Sequence, residues 1–149
     1  MTAPQHSMLT KIKMPSNESV YISCLLDTDI IIDFLRGHSY SREKLEDLRE
    51  DGLLAISTLT QLELFRGMRI SEENVTIDFL DGLASIEVNI TIARTAGRFL
   101  NNLRARGITI GVVDAVIAAT AQELEVPLVT NNINHYPFPN LKLISGTGI

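Results

Sequence analysis

Three acidic residues stand where the sequence otherwise reads as protein interior. Asp27 follows the apolar run Val20-Tyr21-Ile22-Ser23-Cys24-Leu25-Leu26. Glu63 lies between Leu62 and Leu64, and Asp114 interrupts Val112-Val113-Asp114-Ala115-Val116-Ile117-Ala118-Ala119. A buried, unpaired carboxylate costs several kcal/mol. A chain offsets that cost by gathering such groups on a divalent cation, and Mg²⁺ and Mn²⁺ favour carboxylate oxygens. The small Ala115, Ala118 and Ala119 let other elements approach Asp114 closely. Each acid also has an ordinary role open to it. Asp27 could cap a helix, Glu63 could pair with Arg66 one turn on, and Asp114 could sit in a helical first turn. Three acids in apolar settings, each in its own segment, are harder to explain as three unrelated caps.

The elements that would position these acids alternate in type. Val20–Leu26 reads as a buried parallel strand. Thr28 or Asp29 would cap a helix from Ile30 to Arg36 that Gly37 ends. Ser39 or Ser41 opens a charged helix to about Glu50, and Asp51-Gly52 turns into a strand at Leu53–Ile56. Ser57 or Thr58 caps a helix over Leu59–Met68, with Leu62 and Phe65 on one apolar face. Residues 72–84 read as a helix through Val75, Phe79 and Leu83, and 86–88 as a short strand. Ile92, Ala96, Phe99, Leu100 and Leu103 share a longer helix that Gly107 ends. Val112–Leu124 is helical, Leu128–Thr130 a strand, 131–140 a polar loop and 141–144 a last strand. Such alternation predicts an α/β sandwich with a mainly parallel sheet, whose sites form at strand carboxyl ends.

Composition narrows the setting. The 149 residues predict one domain, and 45% hydrophobic with 21% charged residues is ordinary for a globular chain. Residues 1–19 are polar and lack an apolar period, so a loose extension ahead of a domain at 20–149 is expected. That stretch also lacks a signal peptide's apolar core, and no run reaches membrane-spanning length. Cys24 is the single cysteine, so there is no internal disulfide, and a cytoplasmic setting is expected. A net charge of −5 argues against coating nucleic acid by general attraction. It is compatible with an enzyme whose clustered acids await cations, or with a basic partner.

At this point four segments resemble one family. Leu25-Leu26-Asp27-Thr28-Asp29-Ile30-Ile31-Ile32-Asp33 looks like the opening of PIN-domain toxins of the VapC type. Ile56 to Gly67 resembles their second acidic segment, Asp114 to Ala121 the third, and Leu128 to Tyr136 the fourth. All four come in family order and cover about residues 20–146. The resemblance implies a three-layer α/β/α sandwich and a ribonuclease using Mg²⁺ or Mn²⁺. It maps Asp27, Glu63 and Asp114 onto metal-binding acids, with Thr130 a small hydroxyl beside them. The fourth acidic position falls near Asn132, where many relatives have Asp, so this chain departs from the pattern there. Asp29 and Asp33 rank below the three main acids, and His135 reads as a loop residue. The resemblance further implies an RNA substrate, a cognate antitoxin, a homodimer and a toxin–antitoxin hetero-oligomer. The apolar faces of 59–68 and 72–84 read first as core, with an interface as their other use. Arg66, Arg69, Arg94, Arg98, Arg104 and Arg106 are the candidates for meeting phosphate.

Two other enzyme classes fit poorly. Asp27-Thr28-Asp29 has the Asp-x-Asp form of haloacid-dehalogenase-like phosphatases. There the first Asp is a nucleophile, but Ile30-Ile31-Ile32 follows and no fitting Lys lies beside a later acid pair. No Gly-x-Gly-x-x-Gly follows the first strand, and no Gly-Lys-Ser/Thr loop exists. Two alternatives remain: a catalytically weak PIN domain that binds RNA or protein, supported by Asn132 but opposed by the retained Asp27, Glu63 and Asp114, and a PIN nuclease without the toxin role, as in those that process ribosomal RNA.

Overall fold

A computed structural model of the protein describes residues 10–13 and 19–146. The apolar run forms the central strand β2 (Ser19–Leu26). β3 (Leu53–Ser57) pairs parallel to one edge of it, and β5 (Leu128–Thr130) to the other. β4 (Ala84–Ile86) and β6 (Leu143–Ser145) extend the sheet outward, giving the order β4-β3-β2-β5-β6.

β1 (Thr10–Lys13) pairs antiparallel with the start of β2, Thr10 opposite Ile22 and Lys13 opposite Ser19. Ile22 also pairs with Leu53 of β3, so β1 takes the edge that β5 takes further along. The expected loose extension therefore does not hold at Thr10–Lys13. Four residues alternating Lys with Thr and Ile carry little local signal, and it is the exposed edge of β2 that orders them. The rest of the expected extension, residues 1–9 and 14–18, lies outside the described residues.

A register shift between Ile22 and Cys24 sets which residues face which layer. One extra residue reverses the alternation along a strand. Ile22 and Leu25 consequently share one face, with Ile117, Ala118 and Ala121 of α6 (Val112–Leu124) packed on them. Cys24 and Leu26 point to the opposite face. There they meet Ile30 and Ile31 of α1 (Thr28–Leu35), Leu45 of α2 (Ser39–Asp51), Leu64 of α3 (Thr58–Gly67) and Leu80 of α4 (Glu73–Leu80). α5 (Ile90–Ala105) covers the outer side of α6 through Ile92 and Ala96 against Ala115 and Ala119. The result is the expected three-layer α/β/α sandwich. Burial pushes the Cys24 thiol up to about 12, which leaves it protonated and unreactive at neutral pH.

Several boundaries differ from expectation. Asp27 itself caps α1, so Thr28 is the first helical residue rather than the cap. The helix expected over 72–84 ends at Leu80, where Asp81-Gly82 turns the chain, and the following strand comes two residues early. In α3 the inward face is Thr60 and Leu64, while Leu62 is 54% and Phe65 37% exposed. Those two apolar side chains do not serve the core.

Gly97 sits inside α5, and a Cβ added there would meet nothing within 4 Å. Gly97→Ala is expected to stabilise the fold by about 0.5–1 kcal/mol, because it removes helix-opposing backbone freedom at no steric cost. Urea unfolding at unchanged m value is the check.

Candidate metal centre

β2 delivers Asp27 to the carboxyl edge of the sheet, at the start of α1. The residue is 94% buried, and three donors hold its carboxylate. The Thr28 backbone N–H donates to Oδ1 at 2.8 Å. The Thr130 and Tyr136 hydroxyls both donate to Oδ2, each at 2.8 Å. Thr130 ends β5, the parallel neighbour of β2, which explains its reach across the sheet edge.

Glu63 approaches from α3, one helix after β3. The Thr28 hydroxyl donates to its Oε1 at 2.6 Å and lies 3.1 Å from the Thr60 hydroxyl. Thr28 thus ties Glu63 to the residue that Asp27 caps. Among the described residues Glu63 makes no ion pair with Arg66. Asp114 stands in the first turn of α6, and the Tyr136 hydroxyl lies 3.4 Å from its Oδ1. Burial raises the Asp114 pKa above the ordinary carboxylate range, and the charges of Asp27 and Glu63 raise it further, with His135 opposing. His135 Nδ1 is 4.0 Å from Asp114 Oδ2, so the short turn that carries it borders the site.

A second carboxylate group adjoins the first. Asp29 Oδ2 accepts from the Asn131 backbone N–H at 3.1 Å and from the Asn132 side-chain amide at 2.8 Å. The Asn131 side chain reaches Asp33. Burial, and then the charge of Asp27, push Asp29 up to about 7. Asp29 Oδ1 is buried without a hydrogen-bond partner. Gly146 closes this corner, where a Cβ would collide with Ile30 and Asn131. Asn132 therefore serves Asp29 and, through its backbone N–H, the Thr130 hydroxyl at 3.0 Å. It makes no hydrogen bond to Asp27, Glu63 or Asp114.

Two participants escaped the sequence reading. Tyr136 was visible only as the end of the fourth motif, and it is the hydroxyl between Asp27 and Asp114. Thr28 was visible only as a cap. Its adjacency to Asp27 was the one signal available.

The chemistry of this cluster suits a hard divalent ion. All its donors are oxygens, and among the described residues no Lys or Arg pairs with Asp27, Asp29, Asp33, Glu63 or Asp114. No three His, Cys, Asp or Glu side chains among the described residues stand together as a ready ligand set.

Metal-free protein should show the cost of this repulsion. A carboxyl group whose folded pKa is raised is fully favourable only below its unfolded pKa of about 3.9, and stability is lost as pH rises beyond that. Asp114→Asn in chelator is expected to raise Tm by a few degrees near neutral pH and by nothing at acid pH. Thermal melts across the carboxylate range check this.

Known proteins resemble this chain in sequence and in fold. A family profile described as PIN domain matches residues 24–139. Ribonuclease VapC10 of Mycobacterium tuberculosis is 38% identical over 119 residues, 79% of this chain and 90% of that protein. Ribonuclease VapC19 of the same species is 37% identical over 120 residues, 79% of this chain and 96% of that protein. Among solved structures, VapBC2 of Rickettsia felis bound to a promoter DNA fragment matches with a TM-score of 0.74 and 28% identity. That match covers 83% of this chain and 98% of the other. VapBC-1 of nontypeable Haemophilus influenzae matches with a TM-score of 0.74 and 26% identity, over 85% and 98%. The chain belongs to the PIN domain family.

Proposed function

We propose that this protein is a metal-dependent endoribonuclease acting as the toxin of a toxin–antitoxin pair. The observation that carries the proposal is a cluster of oriented carboxylates at one sheet edge with no Lys or Arg partner among the described residues. The ribonuclease names of the relatives point the same way. Asp27, Glu63 and Asp114 would hold Mg²⁺ or Mn²⁺, with Thr130 and Asn132 in support. The ion, when bound, supplies a lowered pKa for water and neutralises charge on the phosphate. The chain's own groups do the rest. Thr130 and Tyr136 fix the Asp27 carboxylate. Thr28 fixes Glu63. A carboxylate of this group would take the proton of the attacking water. Asp29, held by Asn131 and Asn132, keeps the fourth corner polar although Asn132 carries no charge.

The partners follow from the solved relatives, which are toxin–antitoxin complexes. An antitoxin and a second copy of the chain are the proposed occupants of its exposed apolar surface. Leu62, Phe65, Ile70 and Val75 support this, since they lie outside the core. We place the domain at residues 20–149, with β1 added to its sheet, and the protein in the cytoplasm. No helix among the described residues is long and apolar enough to cross a membrane.

The test is incubation of mixed cellular RNA with purified protein, in Mg²⁺ or Mn²⁺ and in chelator. Internal cuts that need the ion support the proposal. Intact RNA under every condition, with no metal binding, favours a PIN domain that only binds.

A further inference from the structure

The outer face of α5 carries a groove of about 700 Å³ that the metal centre does not use. Arg94, Arg98 and Arg104 line it together with Asn101, Gly97 and the loop Ile108–Ile110. The spacing 94, 98, 101, 104 keeps these side chains on one helical stripe. The stripe spans about 15 Å at 1.5 Å per residue, while Thr95 and Ala96 turn inward between its members. All three arginines are exposed. Among the described residues, Arg94 and Arg98 make neither a hydrogen bond nor an ion pair, and Arg104 bonds only Asn101, at 3.0 Å. Thr95 occupies the Glu123 carboxylate on the neighbouring helix, at 3.0 Å.

An uncompensated row of guanidinium groups is unusual on a chain of net charge −5. Its position matters too. The groove ends at Ile110, and Gly111 then caps α6. A Cβ on Gly111 would lie 3.7 Å from Asp114 Oδ2, so the last residue lining the groove directly precedes the turn that carries Asp114.

We propose that this groove holds the phosphate backbone of a single RNA strand and leads it to Asp114. The inference rests on the ribonuclease reading and adds the path of its substrate. Arginine forks match phosphate oxygens, and a flexible single strand can follow a helical stripe. The open floor at Gly97, where an added Cβ would meet nothing, leaves room for the strand.

Binding measured in chelator separates this inference from the catalytic one. The probe is a fluorescent, unstructured RNA of about ten nucleotides, followed by polarisation over a salt series. For single strands the logarithmic salt slope is about −0.7 per phosphate neutralised. The pair Arg94→Ala with Arg98→Ala should flatten it by about 1.4 and weaken binding about tenfold or more at moderate salt. Arg94→Lys with Arg98→Lys should retain most of the affinity. Gly97→Leu fills the groove without changing charge and should also weaken binding, with a thermal melt as the control for folding. In the cleavage assay the alanine pair should raise KM and leave kcat nearly unchanged.

Unchanged affinity and slope in the alanine pair would overturn the groove while leaving metal-dependent cleavage standing. Loss of RNA binding in that pair, in a protein that never cleaves, would keep the groove and remove the nuclease. Failure of the unaltered protein to bind the probe would overturn the groove, and the cleavage assay would judge the enzyme separately. If the alanine pair loses affinity for polyglutamate but not for RNA, the groove serves an acidic protein segment and the proposal falls.

Discussion

Asp27→Asn is expected to lower metal-dependent RNA cleavage by at least about a hundredfold, the scale on which a lost charge-stabilising group acts. The change removes a charge and almost no structure. Asn keeps an oxygen for the Thr28 N–H that starts α1. Its amide would then face the Thr130 and Tyr136 hydroxyls, both of which can rotate to accept. The core around Leu25 and Leu26 is untouched, so stability should change by no more than about 1 kcal/mol. Metal affinity should fall with activity. Steady-state cleavage beside a urea melt makes the test. An active Asp27→Asn protein would mean that the catalytic ion, if any, is held elsewhere.

Tyr136→Phe should have the next largest effect. The ring is buried in the core cluster that includes Ile22, Leu25 and Leu128, and Phe preserves that packing. Only the hydroxyl goes, and with it one of three donors to a carboxylate that is 94% buried. Leaving such an acceptor short of a partner costs about 1–3 kcal/mol. The same hydroxyl stands 3.4 Å from Asp114, so its loss also frees two like charges to separate. A group that orients metal ligands without touching the ion typically governs affinity by about 10–100-fold. The expected signature is a weaker Mn²⁺ dissociation constant, with kcat largely recovered at saturating metal. Equal metal affinity in the two proteins would leave Tyr136 a packing residue.

Much of this arrangement was legible because it is local. β5 and α6 both begin and end where the sequence reading places them. Asp27 and Thr130 stand at strand ends, Glu63 on the helix that follows β3, and Asp114 in the first turn of the helix that leads into β5. A parallel sheet with helical crossovers brings such positions to one edge without further information. What was hidden depends on contacts across long stretches of chain. Tyr136 reaches Asp27 over 109 positions, and the intervening turn at Ile133–His135 has no period to read. β1 is ordered by the edge it meets, as four residues of mixed polarity declare nothing alone. Leu62 and Phe65 read as core because their spacing suits a helix face. The sheet instead buries Thr60 and Leu64, since Thr60 must reach Thr28 beside the acids. Asp29 ranked below the three main acids, and only the folded loop at Asn131 and Asn132 reveals its enclosure.

Calorimetric titration of Mn²⁺ into metal-free protein, beside Asp27→Asn and Asp114→Asn, addresses the carboxylate cluster most directly. Saturable binding to the unaltered chain is expected, accompanied by proton release from the raised carboxyl groups, with a loss of at least about tenfold in affinity in each variant. Binding of equal strength in all three proteins, or none in the unaltered one, would contradict that expectation.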